Sequence, residues 1–141
     1  MSNSFIGNSW SQTGDNINGE SSYDYSGISV SLSGDGSIVA IGASSNDGNG
    51  NGSGHTRIYQ YSSGSWSQLG NDIDGEAAGD TAGYSVSLSD DGSIVAIGAY
   101  ANDENGVNSG HTRIYQYSSG SWSQLGSDIE GEGISDYSGV S

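Results

Sequence analysis

The sequence predicts an all-β fold built of four-stranded antiparallel propeller blades, and three observations carry that prediction. The chain repeats itself at an offset of 56 residues, its apolar residues alternate with a period of two, and short Gly-containing pairs punctuate the apolar runs. Laid over itself, it brings Trp10, Trp66 and Trp122 into register, and residues 30–85 match 86–141 at 42 of 56 positions. A repeat of this length is one supersecondary unit that buries its faces against its neighbours. Identity this high between copies fits a recent duplication or a designed array. Low hydrophobicity with high net charge is also the composition of disorder. The retention of apolar, aromatic and turn residues at fixed places in the repeat argues for a fold.

Within one unit the elements follow in order. Ile28, Val30 and Leu32 alternate with serines, the pattern of a half-buried strand. Gly34-Asp35-Gly36 supplies a tight turn, since Asp-Gly tolerates positive φ. Ile38–Ala43 is apolar on both faces and reads as a central strand covered on both sides. Its small Ala40, Gly42 and Ala43 allow a neighbouring sheet to come close. Residues 44–54, rich in Asn, Asp and Gly, read as a solvated loop. The β-branched and aromatic run from His55 to Tyr61 is a third strand, and Ser62–Ser65 turns the chain into a short fourth at Trp66–Leu69. Four antiparallel strands in such a repeat make a propeller blade. A β-solenoid is the rival, but its coils are usually shorter and lack this hairpin punctuation.

The predicted organisation is a partial repeat at 1–26, holding an extra fourth strand at Ser9–Gln12 and a linker, then a blade with its linker at 27–82. A second blade follows at 83–141, ending in a linker and the start of a further strand. A closed propeller has about four to eight blades. Two blades per chain close a ring only when two, three or four chains combine, so the expected partner is the chain itself, as a homo-oligomer.

The run Tyr84-Ser85-Val86-Ser87-Leu88-Ser89-Asp90-Asp91-Gly92 through Ile97-Gly98-Ala99 resembles an FG-GAP repeat, the blade of integrin-α-type propellers. Gly27–Ala43 is similar, as is each following Ser-Gly-His-Thr-Arg-Ile-Tyr-Gln-Tyr. The resemblance implies propeller blades. Two family features are missing: Ser44 and Tyr100 stand where a proline commonly follows Gly-Ala, and a short Asp-Gly turn replaces the calcium loop between the first two strands. The resemblance therefore implies the fold and not a calcium site or ligand at that loop.

The linkers carry a separate metal pattern. Asp72, Asp74, Glu76 and Asp80 fall at relative positions 1, 3, 5 and 9, and the spacing recurs as Asp128, Glu130, Glu132 and Asp136. Alternate oxygens on a loop suit Ca²⁺, the candidate cofactor. Against that, the glycine stands at position 4, and the earlier copy, with Asn16, Asn18, Glu20 and Asp24, has amides at two places. The bland reading has Ile73 anchoring the linker while the acids face water or cap turns. Arg57 and Arg113, the only basic residues besides two histidines, occupy one strand place in each copy. Their planar forks suit a carboxylate or carbonyls across a blade boundary, a structural role. His55 and His111, two residues upstream on the same face, read as hydrogen-bonded structural residues. Trp10, Trp66 and Trp122, with Tyr59, Tyr61, Tyr115 and Tyr117, read as interblade core. A sugar-stacking platform is the alternative.

Composition narrows the function. Seventeen acidic residues against two arginines and no lysine give a net charge of −15, which excludes nucleic-acid binding through a basic patch. Absent cysteine excludes disulfide scaffolds and thiol catalysis. No apolar run nears the ~20 residues of a membrane-spanning helix, so no membrane insertion is expected. Met1–Ile6 carries no basic and apolar signal pattern. No nucleophile–base pair stands out, so the expectation is no enzyme. The leading reading is a self-assembling structural propeller module, natural or engineered. The alternative is an extracellular or virion-surface adhesin- or lectin-like module that binds a glycan through rim loops, with calcium.

Overall fold

The computed structural model describes residues 9–141. Residues 1–8, which include the start of the partial repeat and the Met1–Ile6 stretch read for a secretion signal, lie outside the described residues. The first blade comprises β1 (Ser26–Leu32), β2 (Ile38–Ala43), β3 (His55–Ser62), β4 (Ser65–Gln68) and the short β5 (Ile73–Asp74). The second comprises β6 (Ser85–Leu88), β7 (Ile94–Ala99), β8 (His111–Ser118), β9 (Ser121–Gln124) and β10 (Ile129–Glu130). Each blade is a four-stranded antiparallel meander, and the named strands all pair antiparallel.

Two local features differ from the sequence expectation. The linker carries β5, which pairs with the start of β3 at His55 and Thr56, while β4 pairs with its far end, Tyr59–Ser62. The outer edge of β3 is thus shared by two short strands. Ser9–Gln12, read as an extra fourth strand, forms no strand, and Trp10 is fully exposed. A fourth strand is held only by its third. The places corresponding to Arg57–Ser62 of that third strand are residues 1–6, which lie outside the described residues.

The turns follow from their side chains. Ser63 (φ 52°) and Gly64 (φ 93°), repeated at Ser119 (53°) and Gly120 (89°), give the doubly left-handed turn that matches strand twist. Between β1 and β2 only Gly36 has positive φ; the loop spans five residues, Ser33–Ser37. Asp35 contributes as an acceptor, its Oδ1 taking hydrogen bonds from the Ser37 amide and from the Ser33 and Ser37 hydroxyls. Asp91 does the same in the second blade. The Ser89 hydroxyl, then the Ser93 amide and hydroxyl, hold its carboxyl down to about 2. Because the folded value is depressed, this stabilisation is full above the ordinary value of 3.8 and is lost as pH falls toward about 2. We expect Asp91→Asn to flatten the fall in urea midpoint between about pH 4 and about pH 2. An unchanged acid limb in that window would count against the turn's role.

The core lies in the seam between the blades. Ile38, Ala40, Ile58 and Ile73 of the first blade meet Val95, Ile97 and Tyr115 of the second, with Leu69, Val86, Leu88 and Trp122 packed around them. β1 and β6 meet through small polar side chains. The Leu88 amide donates to Ser31 Oγ (3.0 Å), and Ser29 Oγ donates to the Gly83 carbonyl (2.8 Å). The serines of β1 therefore face the second blade, and the apolar positions face outward. This reverses the half-buried reading: Val30 is 64% exposed, and Ile28 and Leu32 are exposed as well. Their counterparts Tyr84, Val86 and Leu88 are all half-buried, two of them packed on the core of the first blade. An equivalent face is covered where a blade precedes it and bare where no described blade does.

The small residues of β2 also have a particular use. At Gly42 it is the backbone of the linker, not a sheet, that comes close, and a side-chain carbon there would collide with the Gly83 carbonyl. Gly98 meets Gly139 in the same way.

Candidate functional site

The linker 70–82 crosses the seam and is held from both sides. From the second blade, Trp122 Nε1 donates to the Leu69 carbonyl (2.8 Å) and Arg113 Nη2 to the Asp74 carbonyl (2.7 Å). Asn102 Nδ2 donates to Asp80 (3.1 Å). From the first blade, Asn49 Nδ2 donates to the Gly75 and Glu76 carbonyls. The loop 44–54, read as solvated, is therefore a clasp with Asn46 and Ser53 buried, because its amides have linker carbonyls to satisfy. The linker 14–26 makes the equivalent contacts with the first blade: Trp66 to the Thr13 carbonyl, Arg57 to the Asn18 carbonyl, and Asn46 to Asp24.

The acidic residues of one linker do not gather into a single ring. Strict alternation would put Asp72, Asp74 and Glu76 on one side, but the linker is strand only at Ile73–Asp74 and bends and turns over 76–79, between two blades. Asp72 turns back to its own blade, where Asp72 Oδ2 lies 3.6 Å from His55 Nδ1. Glu76 reaches the next blade, with Oε1 3.5 Å from Arg113 Nη1 and Oε2 3.9 Å from His111 Nδ1. Asp80 is buried, accepting from the Ala77 amide and Asn102. Asp74 offers its carbonyl to Arg113. In the last linker, Asp128 Oδ2 and Glu130 Oε1 stand 3.4 and 3.8 Å from His111 Nδ1, Glu132 is exposed, and Asp136 accepts from the Gly133 amide.

Two clusters result, one repeat apart: Glu20, His55 and Asp72, then Glu76, Glu104, His111 and Asp128. A pocket of about 440 Å³ lined by Glu76, Glu104, Ser127, Asp128 and Glu130 opens the second to solvent. Burial, then the Arg113 charge, hold His111 below its ordinary value against the pull of Asp128. Burial pushes the Glu76 carboxyl up, with Arg113 pulling it back. Burial, reinforced by Glu104 and Asp128, pushes Glu130 up. The sequence reading gave the histidines hydrogen bonds. His111 instead has neither ring nitrogen hydrogen-bonded, although carboxylate oxygens stand 3.4, 3.8 and 3.9 Å from Nδ1. Glu104 escaped the sequence reading, since its repeat counterpart is Gly48. The signal available was an acid added seven residues before a histidine common to both repeats.

Two four-stranded antiparallel sheets stacked across an apolar seam, crossed by the linker that enters the second, define a tandem pair of β-propeller blades. The chain belongs to the FG-GAP repeat family, which matches it over residues 18–59 and 73–115. Each matched segment starts within a linker, so the family unit joins a linker to the blade that follows. The contacts of Arg57 with Asn18 and of Asn46 with Asp24 lie inside one such unit, as do their counterparts in the next. No curated protein matches the chain.

Proposed function

We propose that this chain is a non-catalytic propeller-building module whose activity is self-assembly, the outer face of its second blade receiving the first blade of another copy. One observation carries this reading. The two open faces are the two halves of the seam already formed inside the chain. Ile129 is 57% exposed where its counterpart Ile73 is 6% exposed, and Val30 and Leu32 are bare where Val86 and Leu88 are packed. A second copy laid on the second blade brings Val30, Leu32, Val39, Ile41, Tyr59 and Trp66 against Ile94, Ala96, Ile114, Leu125 and Ile129, repeating the internal seam. Head-to-tail contacts of this kind form rings when the rotation closes.

Two linkers compete for that new seam. Residues 14–26 of the incoming copy offer Arg57, Trp66 and Asn46 the same groups that residues 126–138 of the receiving copy carry at equivalent places. The latter are tied down by the β10–β8 ladder and the Gly110–Ser138 bridge, so the N-terminal linker is the one to yield. The test is mass by light scattering and native mass spectrometry at micromolar concentration. A discrete oligomer is expected, and Ile129→Asp should return it to a 14.3 kDa monomer with an unchanged circular dichroism spectrum. On assembly, amide exchange should quicken over 9–25 and slow over 126–139. A wild-type chain that stays monomeric sinks the reading.

A further inference from the structure

We propose that His111, Asp128, Glu76 and Glu104, with Glu130 beside them, form a binding site for a divalent transition-metal ion of the Zn²⁺ class. This goes beyond the assembly reading and does not depend on it, since every residue belongs to one chain.

The argument starts from His111. It is 0% exposed, and neither Nδ1 nor Nε2 has a hydrogen-bond partner. Burying polar nitrogens unpaired is costly, so such groups call for an explanation. Three carboxylate oxygens lie near Nδ1, Asp128 Oδ2 at 3.4 Å, Glu130 Oε1 at 3.8 Å and Glu76 Oε2 at 3.9 Å. These gaps are too long for good hydrogen bonds. They suit ligands around a common ion, because tetrahedral donors about 2.1 Å from a metal stand about 3.4 Å apart. The donor atoms of Glu76, Glu104, His111 and Asp128 all lie within 4.8 Å of one another.

The carboxylates are also oriented. Asp128 Oδ1 accepts from Gln124 Nε2, which leaves Oδ2 for the cluster. Glu76 Oε1 pairs with Arg113, which leaves Oε2. Glu130 Oε2 is buried without a partner. Four carboxylates face one guanidinium, so the pocket has an excess of negative charge that a divalent cation offsets. A histidine nitrogen among the donors selects a borderline metal, since Ca²⁺ and Mg²⁺ take oxygen shells. The earlier cluster keeps Glu20, His55 and Asp72, but it has Gly48 for Glu104 and Asp74 for Glu130. It should bind more weakly.

The experiment uses the full chain after chelator treatment, titrated with Zn²⁺, Co²⁺, Ca²⁺ and Mg²⁺ by calorimetry and thermal melting. One tight Zn²⁺ equivalent is expected, with intense tetrahedral Co²⁺ absorption and a raised Tm, and with little response to Ca²⁺ or Mg²⁺. Glu104→Gln alters an exposed side chain and should weaken Zn²⁺ by about tenfold or more. Gln124→Ala, which removes only the group orienting Asp128, should weaken it by about tenfold. His111→Ala should abolish the Co²⁺ band. If that variant does not fold, the two surface variants decide the matter. Equal responses to Ca²⁺ and Zn²⁺, or Glu104→Gln and Gln124→Ala that both bind Zn²⁺ as the wild type does, would overturn the proposal.

Discussion

Gly42→Ala is expected to lower the Tm by about 10 °C. The added methyl carbon would fall on the Gly83 carbonyl and lie 2.5 Å from Ser29 Oγ. The first neighbour is backbone, so relief requires moving the linker off β2. That move breaks the Ser29 to Gly83 hydrogen bond and the Gly83 amide bond to the Gly98 carbonyl beyond it. Forced overpacking of this kind costs about 3 kcal/mol, which in a domain of this size is about 10 °C. Gly42 does not adopt positive φ, so alanine brings no backbone strain and the loss reads steric exclusion alone. Gly120→Ala is the control. It has φ +89° with nothing within 4 Å of the added carbon, and should cost only the about 1–2 kcal/mol of a left-handed residue. If Gly42→Ala is the milder of the two in thermal melting, the tight crossing of linker over strand is wrong.

Arg113→Ala should destabilise the chain by about 2–4 kcal/mol, and clearly more than Arg57→Ala. Both guanidiniums are buried and lie over a tyrosine of their own strand, 5.5 Å from Tyr115 and 5.6 Å from Tyr59. Both donate to a linker carbonyl and face a linker glutamate. The difference lies in what the linker joins. The linker held by Arg113 is pinned on its other side by the first blade, through β5 and Asn49, so removing Arg113 loosens the seam that contains the core. The linker held by Arg57 has no described blade on its far side. Arg113→Lys should recover only part of the loss, since an ammonium cannot hold a carbonyl and a carboxylate while stacking on the ring. Chemical denaturation of the three variants checks this. Equal losses at Arg57 and Arg113 would remove the distinction between a closed seam and an open one.

The strands were legible in the sequence because their causes are local. Alternation in residues 28–32, the apolar run 38–43 and the β-branched, aromatic run from His55 each set one strand within a few residues of where it lies. The Ser-Gly turn follows from what glycine permits. The 56-residue offset then makes the second blade a copy of the first, and the FG-GAP motif residues name the family. The site was legible only in its parts. Asp72, Glu76 and Asp128 stand out as linker acids, yet the spacing of Asp72, Asp74, Glu76 and Asp80 along one linker suggests a single ring of oxygens. The fold assigns Asp72 to one cluster and Glu76 to the next.

What sequence alone determined is therefore the blade: its strands, its turns and its repetition, all fixed by side-chain periods of two and by residues that set their own φ. The tertiary structure decided which faces are covered and which residues meet. Whether Val30 is core or surface depends on whether a blade precedes it, and no local pattern encodes that. His111 meets Glu76 and Asp128 because linkers cross seams between sheets, and such crossings are set by packing across long chain separations rather than by any interval along the strand.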